Sequence, residues 1–407
     1  MHDASSAAGA GAPGHPTRIA LFSGNYNCTA DGANQALNRL VAFLLRHGFE
    51  VRVYSPVVAK PAFEPAGELV GVRSMPFPGR GEYRVALGLP QTTRVDLDRF
   101  APDLVHVSAP DPLGRAAQTY AAQRRIPLVA SLHTRFETYW DYYGLGFIRG
   151  LIERYLQRFY CRCDLVLAPN RPMADLLVAD GVEPARIAIW SRGVDRVKFD
   201  PARKSQAWRA AHGIAGDELA VLFFGRLVRE KGIADFAAAF ARAGLPKARP
   251  LVIGEGPAHS EFARALPGAV FTGHLSGDAL GEAVACADVL LNPSATEAFG
   301  NVNLEAMASG LAVISANAPS SRTLIDDGRT GLLVPIGDIA GYATALTRLA
   351  GDARLRQDLG AAAREASARF DWDAALGEVA SAYLGLVQAK RTGKSVRQAS
   401  RRRLSAA

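Results

Sequence analysis

An alternation of short apolar runs with amphipathic stretches, played out twice, constrains this chain more than anything else in it. In the first series RIALFS, EVRVYSP, DLVHVS, PLVASLH and DLVLAPN read as buried strands. Between them GANQALNRLVAFLLRHG sets Ala36, Leu37, Leu40, Leu44 and Leu45 on one helical face, and helices are predicted around GRAAQTYAAQRR and IRGLIERYLQRFYCR. This order implies parallel strands in a doubly wound α/β sheet, with ligands beyond their carboxyl ends. The segment AIWSRGVDRVKFDPARK breaks the rhythm with Gly193 and Pro201. A second series, AVLFFG, PLVIGEG, AVFTG, DVLLNPS, LAVISA and GLLVP, follows it. A hinge near residues 193–205 therefore separates two halves, expected over 18–195 and 196–368, with a last helix over 369–389. No internal sequence repeat is visible beyond this shared architecture.

Two domains suit 407 residues. Hydrophobic content of 49% with 21% charged residues is that of an ordinary globular protein, and no apolar run is long enough to span a bilayer. The N-terminal segment, residues 1–17, has neither a basic nor an apolar region. It reads as a disordered leader, so a cytoplasmic location is expected. Cys28, Cys161, Cys163 and Cys286 are too scattered for a disulfide framework, and Cys161-x-Cys163 is not zinc spacing. Lys390, Arg391, Lys394, Arg397, Arg401, Arg402 and Arg403 carry almost all of the net charge of +8, leaving a nearly neutral body. The tail over 390–407 reads as disordered. Anionic lipid head groups rank above nucleic acid as its partner, since it has no aromatic residue for base stacking; the absence of any specific partner ranks level with lipid.

The run from Glu297 to Glu305 reads as a site. A strand ends at Ser294, a short turn carries Glu297, and a helix containing Glu305 begins. The N–H groups of Gly300, Asn301 and Val302 at that helix start can seat a phosphate. Carboxylates on either side can accept hydrogen bonds from sugar hydroxyls. A sugar, a diphosphate and a ribose in line make a nucleotide-sugar. Alone, the spacing fits a helix-start glutamate plus a solvated one better than a site. Upstream, Arg226 and Lys231 lie on the loop after AVLFFG, where two cations suit a diphosphate leaving group. The plainer alternative is a salt-bridged loop in which Glu230 pairs with either cation.

G-R-L-x-x-E-K-G, F-T-G-H-L, N-P-S-x-T-E-A-F-G-N-V-N-L-E-A-M-A-S-G and T-G-L-L-V-P together resemble the retaining family-4 glycosyltransferases of the GT-B fold. Within them the chain looks most similar to the bacterial glycolipid group, with its GDP-mannose-dependent mannosyltransferases and sulfoquinovosyl-diacylglycerol synthases. The likeness runs over roughly residues 18 to 388. It implies two Rossmann-like domains facing across a cleft, the C-terminal one holding the nucleotide and the last helix returning to the N-terminal one.

The resemblance also assigns residues. It implies that the loop with Gly24 and Gly32 lies over the donor phosphates; by themselves two glycines at a strand–helix turn are a plain connection. His133, ending PLVASLH, is expected to contact the donor sugar, although a lone histidine is more often structural. Gly273, His274 and Leu275 occupy the base-contacting position, and Phe299 belongs to the donor-binding turn. Arg192, in an R-G-V-D stretch seen in the glycolipid group, is a second phosphate candidate. The aromatic run Thr134 to Tyr143 suits sugar or lipid as well as a core under a loop. Gly254-Glu255-Gly256 reads as a strand-end turn. Ala316 to Ser321 stands where relatives often have a glycine pair, which leaves donor identity open. Asp96-Leu97-Asp98 and Asp371-Trp372-Asp373 match D-x-D by letter but read as helix caps, so no metal is implied.

The expected activity is transfer of a hexosyl residue from GDP-mannose or a UDP-hexose to a glycolipid hydroxyl. Arg226, Lys231, Glu297 and His133 carry the chemistry, with no cofactor and no nucleic-acid partner. A soluble oligosaccharide or exopolysaccharide acceptor is the alternative; a nucleotide-sugar epimerase and a non-enzymatic sensor are remoter.

Overall fold

The computed structural model describes residues 15–29, 31–77, 80–133 and 149–393. Most of the N-terminal leader, the aromatic run after His133 and the tail beyond Gly393 lie outside the described residues.

The first series forms β1 (Arg18–Phe22), α1 (Gly32–Arg46), β2 (Glu50–Ser55), β3 (Glu68–Gly71), β4 (Ser74–Phe77), β5 (Arg80–Ala86), α2 (Gln91–Phe100), β6 (Leu104–Val107), α3 (Pro112–Arg124), β7 (Leu128–Ser131), α4 (Arg149–Tyr160), β8 (Leu165–Ala168), α5 (Arg171–Ala179) and β9 (Ile187–Ile189). The sheet order is β3-β2-β1-β6-β7-β8-β9, and β4 and β5 form a separate antiparallel pair. The second series comprises α6 (Gln206–Ala211), β10 (Leu219–Phe224), α7 (Ile233–Ala243), β11 (Ala248–Ile253), α8 (His259–Ala265), β12 (Val270–Gly273), α9 (Gly277–Ala285), β13 (Val289–Asn292), α10 (Asn301–Ala308), β14 (Ala312–Ala316), α11 (Ser321–Leu324), β15 (Leu332–Val334), α12 (Ile339–Gly351), α13 (Ala353–Ser367) and α14 (Trp372–Arg391). Its six strands run in the order β12-β11-β10-β13-β14-β15, all parallel.

The continuous apolar strands have a direct cause. Along β10, Val221 and Phe223 enter one core with Ile233, Phe236, Val252 and Ile314. Ala220 and Leu222 enter another with Leu251, Leu290, Leu304 and Met307. Successive side chains point to opposite faces, and both faces are roofed by helices, so every position must be apolar. Phe223, Phe236 and Phe262 pack edge to face at 5.0–5.7 Å between ring centres.

One expectation needs correcting. The D-x-D at Asp96 and Asp98 does not cap a helix, because α2 starts five residues earlier, directly after Pro90. Asp96 instead accepts from the Tyr54 hydroxyl at 2.8 Å and pairs with Arg52, while Asp98 takes Tyr120 and Arg124. Asp371 does cap, accepting from the Ala374 N–H at 2.8 Å. The strands β3, β4, β5 and β9 were not anticipated: β3, β4 and β9 are short and at best half-buried, and β5 (RGEYRVA) is interrupted by charged residues.

By contacts the chain divides into two compact units, one of residues up to Val129 with the chain from Tyr383, the other of Ala130–Ala382. The division falls earlier than the break in rhythm at the hinge. In the first unit Tyr383 donates to or accepts from buried His106 Nδ1 at 2.8 Å, and Arg391 pairs with Asp103 at 3.0 Å, fixing the end of α14 there. In the second, the hinge segment at Gly193 and Val194 lies against the start of α14. The Val194 N–H donates to Phe370 O, and a Cβ on Gly193 would fall 2.4 Å from the Trp372 backbone nitrogen.

Candidate active site

In the second unit the turns at the carboxyl ends of β10 and β11 pack backbone against backbone. Gly225 has φ 137° and Gly254 φ 140°, a region closed to other residues. A Cβ on Gly254 would stand 1.9 Å from Gly225 O, and one on Gly256 2.3 Å from Leu227 O. The Leu227 N–H donates to Glu255 O at 2.8 Å. Only glycine permits the turn of β11 to lie this close to the turn that carries Arg226 and Lys231.

After β13 the chain runs through Glu297 to Gly300, which starts α10 with φ 98° and no side-chain cap. Among the described residues no acceptor meets the N–H groups of Phe299, Gly300, Asn301 or Val302. Uncapped donors and the positive end of the helix dipole together favour an anion. Lys231 Nζ reaches Glu297 Oε1 at 2.5 Å, both side chains being mostly buried. Burial alone would raise the Glu297 carboxyl; the Lys231 ammonium outweighs it, with help from Ser294 and Arg226, and holds it below the usual glutamate range. Glu297 is therefore an ionised acceptor, and Lys231 keeps further donors for phosphate oxygens. Arg226 lies 3.8 Å from the nearly buried Glu230, an ion pair too long for a hydrogen bond. Glu230 thus sits opposite Arg226, while Lys231 takes Glu297 instead. Thr296 ties the turn down by donating to Glu230 O at 3.3 Å.

Beneath this turn lies a buried polar network absent from the sequence reading. Asn292 Nδ2 donates to Asn303 Oδ1 at 2.8 Å; Asn303 Nδ2 donates to Ser315 Oγ at 3.0 Å and faces Ser321 Oγ at 3.4 Å; the two hydroxyls are 3.0 Å apart. It joins the ends of β13 and β14 to α10 and α11, and so sets where α10 points. Ser321 belongs to the stretch expected to replace a glycine pair, and here it serves this network. Asn292 and Ser315 are small polar residues at the ends of apolar strand runs, which was the available signal; Asn303 and Ser321 carried none.

Another long-range bond reaches the same turn. Asn170 caps α5, its Oδ1 accepting from the Met173 N–H at 3.1 Å, and its Nδ2 donates to Ala298 O at 2.7 Å. Nothing in DLVLAPN distinguishes such an asparagine from any other helix cap. Phe299 is buried and packs edge to face on Phe370 at 6.0 Å. Glu305 is half-buried in α10. At the end of β12, a Cβ on Gly273 would meet Glu255 Oε1 at 3.1 Å, with His274 exposed and Leu275 half-buried.

His133 and Arg192 come together. Arg192 is 4% exposed, stacks over Trp190 at 4.6 Å, and donates to Trp190 O at 2.9 Å and to His133 Nδ1 at 2.8 Å. A guanidinium only donates, so Nδ1 accepts and the ring proton sits on Nε2, 2.7 Å from Ser131 Oγ. Burial lowers Arg192 to about 10, still a cation at neutral pH. The guanidinium expected on phosphate is thus engaged with His133 and Trp190. Gly24 and Gly32 belong to the other unit. Gly24 is buried where a Cβ would meet Asp111 Oδ2 at 2.1 Å, and Gly32 opens α1, capped by Asp31.

Comparison with known proteins agrees with this architecture. The description "Glycosyltransferase Family 4" fits residues 30–198 and "Glycosyl transferases group 1" fits residues 218–352. The chain is 32% identical over 369 residues to Sulfoquinovosyl transferase SQD2 of Arabidopsis thaliana, covering 88% of this chain and 72% of the relative. It is 31% identical over 376 residues to a GDP-mannose-dependent alpha-mannosyltransferase of Mycolicibacterium smegmatis, covering 90% and 96%. Among solved structures, Sucrose-phosphate synthase from Thermosynechococcus elongatus superposes with a TM-score of 0.78 at 21% identity, over 92% of this chain and 100% of that one. WaaG, a glycosyltransferase involved in lipopolysaccharide biosynthesis, gives 0.67 at 19%, over 89% and 98%. The alternating parallel sheets, the anion seat at α10 and these likenesses lead to one assignment: the chain belongs to the family-4 glycosyltransferases of the GT-B fold and is a hexosyltransferase that uses nucleotide sugars.

Proposed function

We propose that the protein moves a hexosyl residue from GDP-mannose or a UDP-hexose to a hydroxyl of a glycolipid, with retention of configuration and no metal or other cofactor. The observation that carries the reading is the ionised Lys231–Glu297 pair beside the uncapped start of α10. The donor diphosphate lies on Arg226, Lys231 and the N–H groups of Gly300 to Val302. Glu297 accepts from sugar hydroxyls and Glu305 from the ribose. Gly273, His274 and Leu275 meet the base, and His133 meets the sugar.

As the glycosidic C–O bond breaks, its electron pair stays with the diphosphate, whose growing charge the two cations and the helix start stabilise. The acceptor oxygen attacks the oxocarbenium-like carbon from the same face and passes its proton to the departing phosphate. The unit containing Gly24 and Gly32 receives the acceptor. No helix among the described residues is long and apolar enough to cross a membrane. We place the enzyme in the cytoplasm, at the inner membrane face, with the basic tail on anionic lipid. Names of relatives support a lipid acceptor, among them an Alpha-monoglucosyldiacylglycerol synthase of Acholeplasma laidlawii, 24% identical over 339 residues.

The test is a melting-temperature series with UDP, GDP, ADP and dTDP on the wild type and on Glu305→Ala. Selective stabilisation by one nucleotide, lost in the variant, is expected. No shift with any of the four would overturn the donor site. Transfer from the matching radiolabelled sugar nucleotide into a lipid extract, with the anomeric configuration read by NMR, then tests acceptor and stereochemistry.

A further inference from the structure

The geometry points to Asn170 as a positioning residue for the donor diphosphate: its side-chain amide fixes the Ala298–Phe299 peptide so that the Phe299 N–H joins those of Gly300 to Val302. The inference rests on the donor-site reading above and deepens it.

Asn170 is 6% exposed and uses both ends of its amide. Oδ1 accepts from the Met173 N–H, so the other end must be Nδ2, and it donates to Ala298 O at 2.7 Å. The orientation of the amide is thereby set from two sides. A trans peptide is planar, with its C=O and the following N–H pointing opposite ways. Holding Ala298 O on Asn170 therefore turns the Phe299 N–H away from Asn170, and among the described residues no acceptor meets it.

Ala298 sits between Glu297 and the helix start, where a wrong peptide orientation matters most. If the peptide rotated, the seat would lose a donor and gain a carbonyl oxygen facing the diphosphate. The turn has other anchors: Thr296 on Glu230 O, Glu297 on Lys231, and Phe299 on Phe370. All of them act through side chains. Asn170 alone among these grips the peptide that precedes the seat, so the others cannot substitute for it.

The test separates this role from capping. Serine and aspartate cap helices about as well as asparagine, so Asn170→Ser and Asn170→Asp should keep α5 and the fold. Neither can donate to Ala298 O as the amide does, since serine is too short and an ionised aspartate only accepts. Affinities are measured by calorimetry for the nucleoside diphosphate that the wild type prefers among UDP, GDP, ADP and dTDP, and for the matching nucleoside. Both variants should melt near the wild type and bind the nucleoside as it does. They should lose about tenfold in diphosphate affinity, the loss of one hydrogen bond to a charged group, with aspartate worse than serine. Diphosphate binding within twofold of wild type in both variants would overturn the proposal. So would an equal loss for nucleoside and diphosphate, or unfolding of both variants, either of which would make Asn170 a matter of fold alone. A wild type that binds none of the four would overturn the donor site itself, and this proposal with it.

Discussion

Removing Lys231 should cost the protein twice, once at the ligand and once in the fold, and the second cost can be measured without any substrate. In Lys231→Ala the Glu297 carboxylate loses its partner at 2.5 Å while the site stays mostly closed to water, the two side chains being 23% and 17% exposed. A hydrogen bond to a charged group contributes about 1.5–3 kcal/mol net, and the residual solvent access places this pair at about 2 kcal/mol. For a unit of this size that corresponds to a fall of about 4–8 °C in melting temperature. Glu297→Gln in the same background removes the orphaned charge, so the double variant should recover part of the loss, with a coupling of about 1 kcal/mol or more. The pH dependence has a definite sign. Glu297 is held below its ordinary value, so the pair's contribution is complete above pH 4.5 and is lost as the pH falls through the lower, folded value. The gap between wild type and Lys231→Ala should therefore close in acid. Calorimetry on the four proteins of the cycle, at neutral and at acid pH, reads both effects. Additive single effects, or a gap independent of pH, would refute the account.

Arg226→Ala should lower kcat/KM by about ten- to a hundredfold, from the loss of one charged contact to the leaving group; steady-state kinetics with the identified donor checks it, and normal turnover would remove Arg226 from the mechanism. Asn303→Leu keeps the branching of the side chain but leaves the Asn292 amide without its acceptor, at a cost of about 1–3 kcal/mol, while Ser315 and Ser321 can still pair with each other. Its denaturant midpoint should fall accordingly, and donor affinity with it as α10 loses its seating. Gly193→Ala forces a methyl to within 2.4 Å of the Trp372 backbone nitrogen, so a loss of a few kcal/mol is expected in thermal melts; a wild-type melt would mean that the start of α14 shifts freely.

Strands buried on both faces announce themselves as apolar runs, which is why β1, β6 to β8, β10, β11 and β13 to β15 were legible; β2 and β12, less apolar or less buried, were legible from their place in the alternation. The turn from Ser294 to Glu305 stood out only in combination: its glutamates and glycine alone suit a plain helix start, and Arg226 and Lys231 after β10 made a candidate site of them. What stayed hidden depends on distance through space. Lys231 and Glu297 were each recognisable, yet their pairing was not, because Glu230 lies next to Lys231 in sequence and looked the natural partner. Arg192 read as a free cation, since nothing in SRGVD shows that His133 and Trp190 close around it. Asn170 and Asn303 are ordinary letters whose roles come entirely from carbonyls and hydroxyls supplied by other strands. The aspartates of α2 misled because the helix begins at a proline boundary five residues upstream of Asp96.

The packing of Gly254 and Gly256 against Gly225 O and Leu227 O reaches beyond this one reaction. Two turns in contact through bare backbone form a single mechanical part: neither can lengthen, bulge or accept a side chain unless the other changes with it. Recombination or design that exchanges one of them between relatives should fail where exchanging both together succeeds. If the proposed donor site holds, variation in donor choice is steered outward, to neighbours such as Glu255, His274 and Leu275, whose side chains can change while the paired turns stay constant. Such a part can be inherited intact across enzymes that handle different sugars.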